Sequence, residues 1–414
     1  MNRRVVVTGM GALSCVGNNV TDLWDAVVNG RSGIDKIDIF DPSDYKTQIA
    51  GEIKGFDITA HVPAKDARKL SPFSQFAIGA ADQAMEDAGI SHDLAGINPE
   101  MVGVIVSSGI GGICTIEEQH KKLLDRGPSK VSPFLVPMMI ADLASGNIAI
   151  RYGAQGPNMG IVSACASSTH SIGESWWMIK RGDADVMITG GTEAGVTPIS
   201  IAGFCAMKAM STRNDEPKKA MRPFDSERDG FVMSEGAGVL ILEELDHAVK
   251  RGANILAEVI GYGSSGDAHH ITVPAPSGRG CAQAIRTALR HAEIAPSDID
   301  YINAHGTSTP IGDKYETMAY KSVFGENAYN IPISSIKGQI GHCLGASGAL
   351  ESISCIKTLQ EGIIPPTLNQ DSPDPECDLD YTPNTARKAE IDTAINLNLG
   401  FGGHNAVLIF KKFK

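Results

Sequence analysis

The same order of strand-forming and helix-forming stretches runs twice along this chain, and that repetition limits the fold more than any other feature. Short runs rich in Val and Ile, bounded by Gly, Ser and Asn, read as buried strands. Met101 to Ser107 is one, followed by the loop Ser108-Gly109-Ile110-Gly111-Gly112, and Ile299 to Ala304 is its counterpart, followed by His305-Gly306-Thr307-Ser308-Thr309. Ile161 to Cys165 reads as the end of a strand that opens a helix running to about Arg181. Its counterpart begins at Ile333-Ser334-Ser335 and leads through His342 into a helix from about Gly345 to Gln360. Each half closes on two strands, Val186 to Thr189 and Val239 to Leu242 in the first, Ala394 to Leu397 and Ala406 to Phe410 in the second. The second half opens near Ala257 with AEVIGYG, parallel to RRVVVTGMG from Arg3 to Gly11.

Two similar halves of alternating strands and helices predict an α/β fold of stacked layers packed as a pseudo-dimer. The expected halves are residues 1–255 and 256–414, the first carrying insertions near 115–145 and 195–235. No Pro/Ser-rich linker separates them, so one compact body is expected. Glycine reaches 45 of 414 residues, against a usual share of about 7%, which points to many tight turns and close backbone approaches.

Charge narrows the partners. Thirty-six basic against forty-eight acidic residues leave a net charge of −12, a surface that repels nucleic acid and anionic membrane, so an acidic partner must dock on a local basic patch. Eight cysteines without a CxxC spacing argue against a structural zinc site, and a chain this long needs no disulfides, so reduced thiols and a cytoplasmic location are expected. The longest uncharged stretch, Tyr152 to Gly173, is rich in Gly and Ser and fails the requirement for about 20 predominantly apolar residues. The apolar run Val5-Val6-Val7 starts so early that no signal or transit peptide is expected.

Cys165 stands apart from the other cysteines because it lies where an apolar run stops and a helix of small residues begins, Ala164-Cys165-Ala166-Ser167-Ser168. A thiol there faces the positive end of the helix dipole, which favours thiolate. The same context also fits an inert thiol, since free cysteine packs as a small hydrophobe. Two histidines shift the balance: His305 follows a strand, and His342 precedes a helix inside Lys337-Gly338-Gln339-Ile340-Gly341-His342. By the repeat, His342 is expected at the position that Cys165 occupies in the first half, so a pseudo-twofold axis brings both to one cleft with His305 beside them. A thiolate accepts and releases acyl groups well, and two imidazole N–H donors can hold a thioester oxygen as it becomes an enolate. That combination suits acyl transfer followed by carbon–carbon bond formation. Gly400-Phe401-Gly402-Gly403 reads either as an ordinary glycine turn or as a close backbone approach that gives an oxyanion hole with the Cys165 amide.

Together these stretches resemble the β-ketoacyl-acyl-carrier-protein synthases of the thiolase-like αβαβα fold, and most nearly the elongating type II branch. The resemblance runs from the first strand to Phe410. It implies that Cys165 takes the acyl chain, that His305 and His342 support decarboxylation of malonyl-carrier, and that Lys337, paired with Glu351, orders the histidines. Phe401 resembles a gate, and the Cys165 and Phe401 amides an oxyanion hole. Ile110 and Phe204 fall where the family lines its acyl pocket and second gating loop; Thr307, Thr309 and Gly402 fall where it binds the phosphopantetheine arm and substrate. A homodimer and an acyl carrier protein partner are implied, with no organic cofactor beyond the carrier's own phosphopantetheine and no metal. The chain departs from the family at Ile336, usually Thr, at Gly338, usually Ser, and at His404, usually small and polar.

Lys65, Arg68 and Lys69 recur at helical spacing and are expected to line one face; with Lys208 and Arg213 they form the expected carrier dock. Competing readings fit less well. A degradative thiolase needs a second cysteine near the C-terminal glycine loop, and none follows Cys377. Initiating synthases carry Asn where this chain has His342, and a silent partner subunit would lack Cys165. Val7 to Gly11 fails as a dinucleotide loop because Ser14 stands at the third glycine position. The adjacent pair His269-His270 points to opposite faces of an extended segment. An elongating subunit of a type II polyketide pathway remains the alternative to fatty-acid elongation.

Overall fold

The computed structural model describes residues 3–414. The main strands are β1 Val5–Ser14, β2 Val102–Ser107, β3 Val186–Glu193, β4 Gly236–Glu244, β5 Ala257–Gly266, β6 Tyr301–Asn303, β7 Ile333–Ser334, β8 Thr393–Gly400 and β9 His404–Lys411. They form one sheet in the order β2-β3-β4-β1-β5-β9-β8-β6-β7. The expected repeat is written into the pairing. β1 runs antiparallel to β4, β4 antiparallel to β3 and β3 parallel to β2. β5 runs antiparallel to β9, β9 antiparallel to β8 and β8 parallel to β6. The two sets meet where Val5–Val7 pairs antiparallel with Ala257–Val259.

The helices that matter here are α1 Pro72–Asp87, α2 Ile113–Arg126, α3 Leu143–Tyr152, α4 Ser167–Arg181, α5 Pro198–Ala206, α6 Arg279–Ala292, α7 Pro310–Phe324 and α8 Ser347–Glu361. Strand side chains alternate between two apolar layers, as a period of two requires. On β4, Val239 and Ile241 pack toward α1 and α3, while Leu240 and Leu242 pack toward α4 and α8. On β9, Val407 and Ile409 face α6 and α7, while Leu408 and Phe410 face α4 and α8. The order is therefore helix, half-sheet, helix, half-sheet, helix, the two halves of the one sheet enclosing α4 and α8. Every side chain of α8 from Ser347 to Ile356 is buried, which a helix enclosed by two halves of a sheet must satisfy all round.

The glycines shared by β1 and β5 have one explanation. A Cβ on Gly9 or Gly11 would strike the Ala84 or Ala80 carbonyl of α1, and one on Gly261 or Gly263 would strike the Ala288 or Ala284 carbonyl of α6. VTGMG and VIGYG thus each let one helix backbone lie directly on a strand, a packing role in place of any phosphate loop.

Ile161 to Cys165 is not a strand. Residues 160–163 lie in an irregular segment beside β2, with Val162 59% exposed, and Ala164–Ala166 is a single 3-10 turn. Hydroxyls replace a regular ladder there: Ser107 Oγ accepts from the Ile161 amide at 2.8 Å, and Ser167 Oγ accepts from the Ser163 amide at 3.0 Å. The second-half helix also begins two residues later than expected, at Ser347, after the 3-10 turn Leu344–Ala346.

Candidate active site

Cys165 and His342 reach the same cavity, though not as symmetry equivalents. α4 and α8 each end on a left-handed glycine, Gly182 and Gly362, and each follows a 3-10 turn whose first residue, Ala164 or Leu344, has positive φ. That register matches Cys165 with Gly345 and places His342 three residues before the matching position. The repeat nevertheless brings both turns together at the centre. Left-handed φ at a residue with a side chain is strained, and here it turns the chain sharply enough to present Cys165 at the head of α4.

His342 Nε2 stands 3.1 Å from Cys165 Sγ, and its Nδ1 lies 3.0 Å from Ser347 Oγ. The His305 ring sits 5.5 Å from that of His342, nearly perpendicular to it. His305 is pinned at both backbone atoms. Its amide donates to Glu316 Oε1 at 2.7 Å, and its carbonyl accepts from Lys337 Nζ at 2.6 Å. Lys337 also pairs with Glu351, both side chains having no exposure. Burial is the larger of the effects that hold the His342 imidazole well below its ordinary pKa, with the Lys337 charge adding to it. Burial again leads at His305, followed by Lys337 and His342. Both imidazoles are neutral.

The thiol is neutral too, which corrects the expected thiolate. Burial pushes Cys165 up to about 12 and outweighs the nearby Lys337 ammonium. The helix dipole acts at the surface of a site that is already dry, and removing a thiolate from water costs more than the dipole returns. At rest the pair is therefore a thiol beside an imidazole nitrogen that can take its proton.

A cavity of about 360 Å³ opens over these groups. Ile110, Phe204, Thr307, Thr309 and Phe401 line it together with Cys165, His305 and His342. Thr307 and Thr309 hydroxyls lie 3.1 Å apart near its mouth. The Phe401 ring lies 6.4 Å from that of Phe204, which packs edge-on against Phe231. Gly402 does not line the cavity; its amide donates to the Ile271 carbonyl at 2.8 Å, and φ of +88° makes it the turn residue. Gly400 is the closest-packed member of the loop, since a Cβ there would sit 2.5 Å from the Ser163 carbonyl and 3.3 Å from the Cys165 amide. The glycine loop thus approaches the Cys165 backbone, the closeness that an oxyanion hole built from the Cys165 and Phe401 amides would need.

The departures have local partners. Ile336 is fully buried in the central core, and Gly338 leaves room for Leu368, whose Cβ would lie 2.7 Å from an added Cβ. His404 stands edge-on to His170, whose Nδ1 lies 2.7 Å from Ser163 Oγ.

The basic patch is only partly as expected. Helical turns cover only Ala64–Ala67, so Lys65, Arg68 and Lys69 are exposed but share no extended helix face. Lys69 pairs with Asp66 at 2.7 Å. Lys208 is exposed at the cavity mouth. Arg213 does not add free charge: it donates to the Glu227 carbonyl at 2.8 Å and lies 3.7 Å from Asp229.

Three buried polar residues escaped the sequence reading. Glu193 accepts from Ser108 Oγ at 2.6 Å and from the Gly109 and Gly345 amides at 2.8 and 2.9 Å, tying the Ile110 loop to the turn after His342. Glu316 receives the His305 amide from α7, and Asn398 lies between Glu351 and His305. A signal existed for Asn398: Asn396 and Asn398 put amides on one face of an otherwise apolar strand, where each must find a partner. Among the described residues no group of three or more His, Cys, Asp or Glu is arranged to hold a metal ion, and no helix is long and apolar enough to cross a membrane.

Residues 2–248 match the beta-ketoacyl synthase N-terminal domain, and residues 256–371 match the beta-ketoacyl synthase C-terminal domain. The chain is 51% identical over 413 residues to 3-oxoacyl-[acyl-carrier-protein] synthase 2 of Staphylococcus aureus strain N315, covering 100% of this chain and 99% of that one. It is 48% identical over 412 residues to the protein of the same name from Synechocystis sp., with the same coverage. Among solved structures, a beta-ketoacyl synthase from Burkholderia phymatum STM815 superposes with a TM-score of 0.92 at 35% identity, over 100% of both chains. A type II polyketide ketosynthase in complex with its acyl-carrier protein superposes with the same score, identity and coverage.

Proposed function

The chain belongs to the β-ketoacyl synthase family, and from that premise we infer how its site lengthens an acyl chain by two carbons. It is a condensing acyltransferase of the 3-oxoacyl-[acyl-carrier-protein] synthase type. The observation that carries the assignment of roles is the 3.1 Å approach of His342 Nε2 to the Cys165 thiol, with His305 beside it on one cavity.

In the first half-reaction the Cys165 sulfur attacks the thioester carbon of acyl-carrier. Its proton passes to His342 Nε2 and then to the departing pantetheine thiol, so a sulfur–carbon bond forms as another breaks. The Cys165 and Phe401 amides hold the tetrahedral oxyanion. In the second, the neutral His342 ring changes tautomer so that its one proton stands on Nε2 instead of Nδ1; malonyl-carrier then loses CO₂ and the electron pair of the broken bond becomes an enolate, its oxygen held by Nε2–H of both histidines. The enolate carbon attacks acyl-Cys165 and expels the thiolate, which takes a proton from solvent. His342 thus acts first as acceptor and then as donor. The Ser347 hydroxyl at its Nδ1 permits both, because a hydroxyl donates or accepts as required.

An acidic carrier protein is the partner this reading requires, met by exposed Lys208 at the cavity and by exposed Lys65, Arg68 and Lys69 elsewhere on the surface. No organic cofactor of the chain's own enters the scheme. Cytoplasmic residence belongs to the same proposal, supported by eight free cysteines. A homodimer also belongs to it. Leu124 and Val136 are exposed on two helices that pack together, Ile113–Arg126 and Leu135–Met139, and an apolar face left exposed in this way fits a covering partner copy. Fatty-acid elongation is favoured over a polyketide pathway, because the identity to the fatty-acid type enzyme is 51% against 35% for the polyketide ketosynthase.

Intact-protein mass spectrometry with acyl-carrier tests the assignment. The wild type takes one acyl adduct on Cys165 and Cys165→Ala takes none; an adduct on another cysteine refutes it. Light scattering that shows a monomer at working concentration refutes the dimer.

A further inference from the structure

The two histidines sit in different hydrogen-bond environments, and that difference assigns a role to Asn398. We propose that Asn398 is a positioning residue that locks His305 as a permanent Nε2–H donor, leaving proton exchange to His342 alone. The proposal rests on the condensing reading of the site.

Asn398 lies on β8 with no exposure. Its Oδ1 accepts from Thr169 Oγ1 at 2.5 Å, and its Nδ2 donates to Glu351 Oε2 at 2.7 Å. A flipped amide would set Oδ1 against a carboxylate oxygen with no proton between them, so the orientation is fixed by its neighbours. The same Nδ2 lies 3.5 Å from His305 Nδ1, at the far end of hydrogen-bond range. An amide N–H there can only donate. A proton on His305 Nδ1 would point at another proton, so Nδ1 carries the lone pair and the single proton of the neutral ring stands on Nε2.

The surroundings leave this arrangement little freedom. Glu316 and Lys337 hold the His305 backbone, so the ring cannot escape by moving its loop. Glu351 cannot take the place of Asn398, because its other oxygen is engaged by Lys337. Gly348 of α8 makes space for the bridge; a Cβ there would lie against Thr169 Oγ1 and 2.6 Å from Asn398 Oδ1. His342, by contrast, has a hydroxyl that accepts either tautomer. Transfer of the acyl group to Cys165 needs His342 to accept a proton, whereas decarboxylation needs both rings to donate. Asn398 therefore acts on the second half-reaction.

The decisive measurement is nitrogen-15 NMR of histidine-labelled wild-type protein, with the His305 signals assigned by their loss in His305→Gln. The expected spectrum shows Nε2 protonated and Nδ1 bare. Kinetics give the second arm. Asn398→Asp offers a carboxylate that accepts from Nδ1–H and draws the proton off Nε2. Decarboxylation of malonyl-carrier should then fall by about 10²–10³-fold, as for loss of an oxyanion donor, and at least tenfold more than acylation of Cys165. Thr169→Val frees the amide to turn and should lower the same ratio less steeply. His305 protonated on Nδ1, or equal loss of both half-reactions in Asn398→Asp, overturns the proposal while the condensing reading stands. Failure of the wild type to acylate Cys165 overturns that reading instead.

Discussion

Lys337 and Glu351 form an ion pair with no solvent exposure on either side chain, and removing one partner tests the charge balance on which the site depends. Lys337→Met leaves the Glu351 carboxylate buried with the Asn398 amide as its remaining donor. Breaking a buried pair in this way costs about 3–5 kcal/mol, because one charge stays in the dry interior without its counterion. An unfolding entropy of about 2.1 cal/mol/K per residue over 414 residues converts that loss into a fall of about 3–6 °C in Tm. Adding Glu351→Gln removes the stranded charge yet keeps an oxygen that can accept from Asn398. The double variant should therefore recover about half of the loss and melt above the single one. Differential scanning calorimetry with and without the second substitution reads the coupling directly. Condensation should stay impaired in both variants, since neither restores the 2.6 Å donor to the His305 carbonyl. If Glu351→Gln lowers Tm further in the Lys337→Met background, the carboxylate is not a stranded charge and the reasoning fails.

Three shorter tests address the rest of the site. With Cys165 pushed up to about 12 by burial, the thiol stays protonated through neutral pH. Alkylation of Cys165 by iodoacetamide should therefore climb by about tenfold per pH unit from pH 6 to 9, and a plateau near pH 7 would show earlier ionisation. Gly400→Ala drives a Cβ to 2.5 Å from the Ser163 carbonyl and should reduce Cys165 acylation by about 10²-fold, the size of a lost oxyanion donor; near wild-type acylation would remove the glycine loop from the oxyanion hole. Charge reversal of exposed Lys65 and Lys69 to Glu should raise the apparent KM for acyl-carrier several-fold and leave iodoacetamide alkylation unchanged, and an unchanged KM would remove them from the docking surface.

The sequence reading failed where backbone conformation was at issue. Ile161-Val162-Ser163 has the composition of a strand, but buried serine hydroxyls replaced the ladder and the segment stayed irregular. Equating His342 with Cys165 by counting from strand ends missed by three residues, because the second-half segment from β7 to α8 is built differently from its first-half partner. The spacing of Lys65, Arg68 and Lys69 suggested a helical face, but the helix stops at Ala67. Expecting a thiolate from the helix terminus ignored desolvation, which only the packed structure can supply.

By itself the sequence determined the doubled order of strands and helices, the glycine pairs that let α1 and α6 lie on β1 and β5, and the residue types able to carry acyl chemistry. These follow from local pattern, since a period of two, a helix cap and a missing Cβ are written in adjacent residues. Tertiary structure alone decided that Cys165 rests as a thiol, that His342 Nε2 stands 3.1 Å from its sulfur, and that Asn398 stands between Glu351 and His305. Protonation and tautomer depend on what surrounds a buried group in space, and those neighbours come from segments tens to hundreds of residues away.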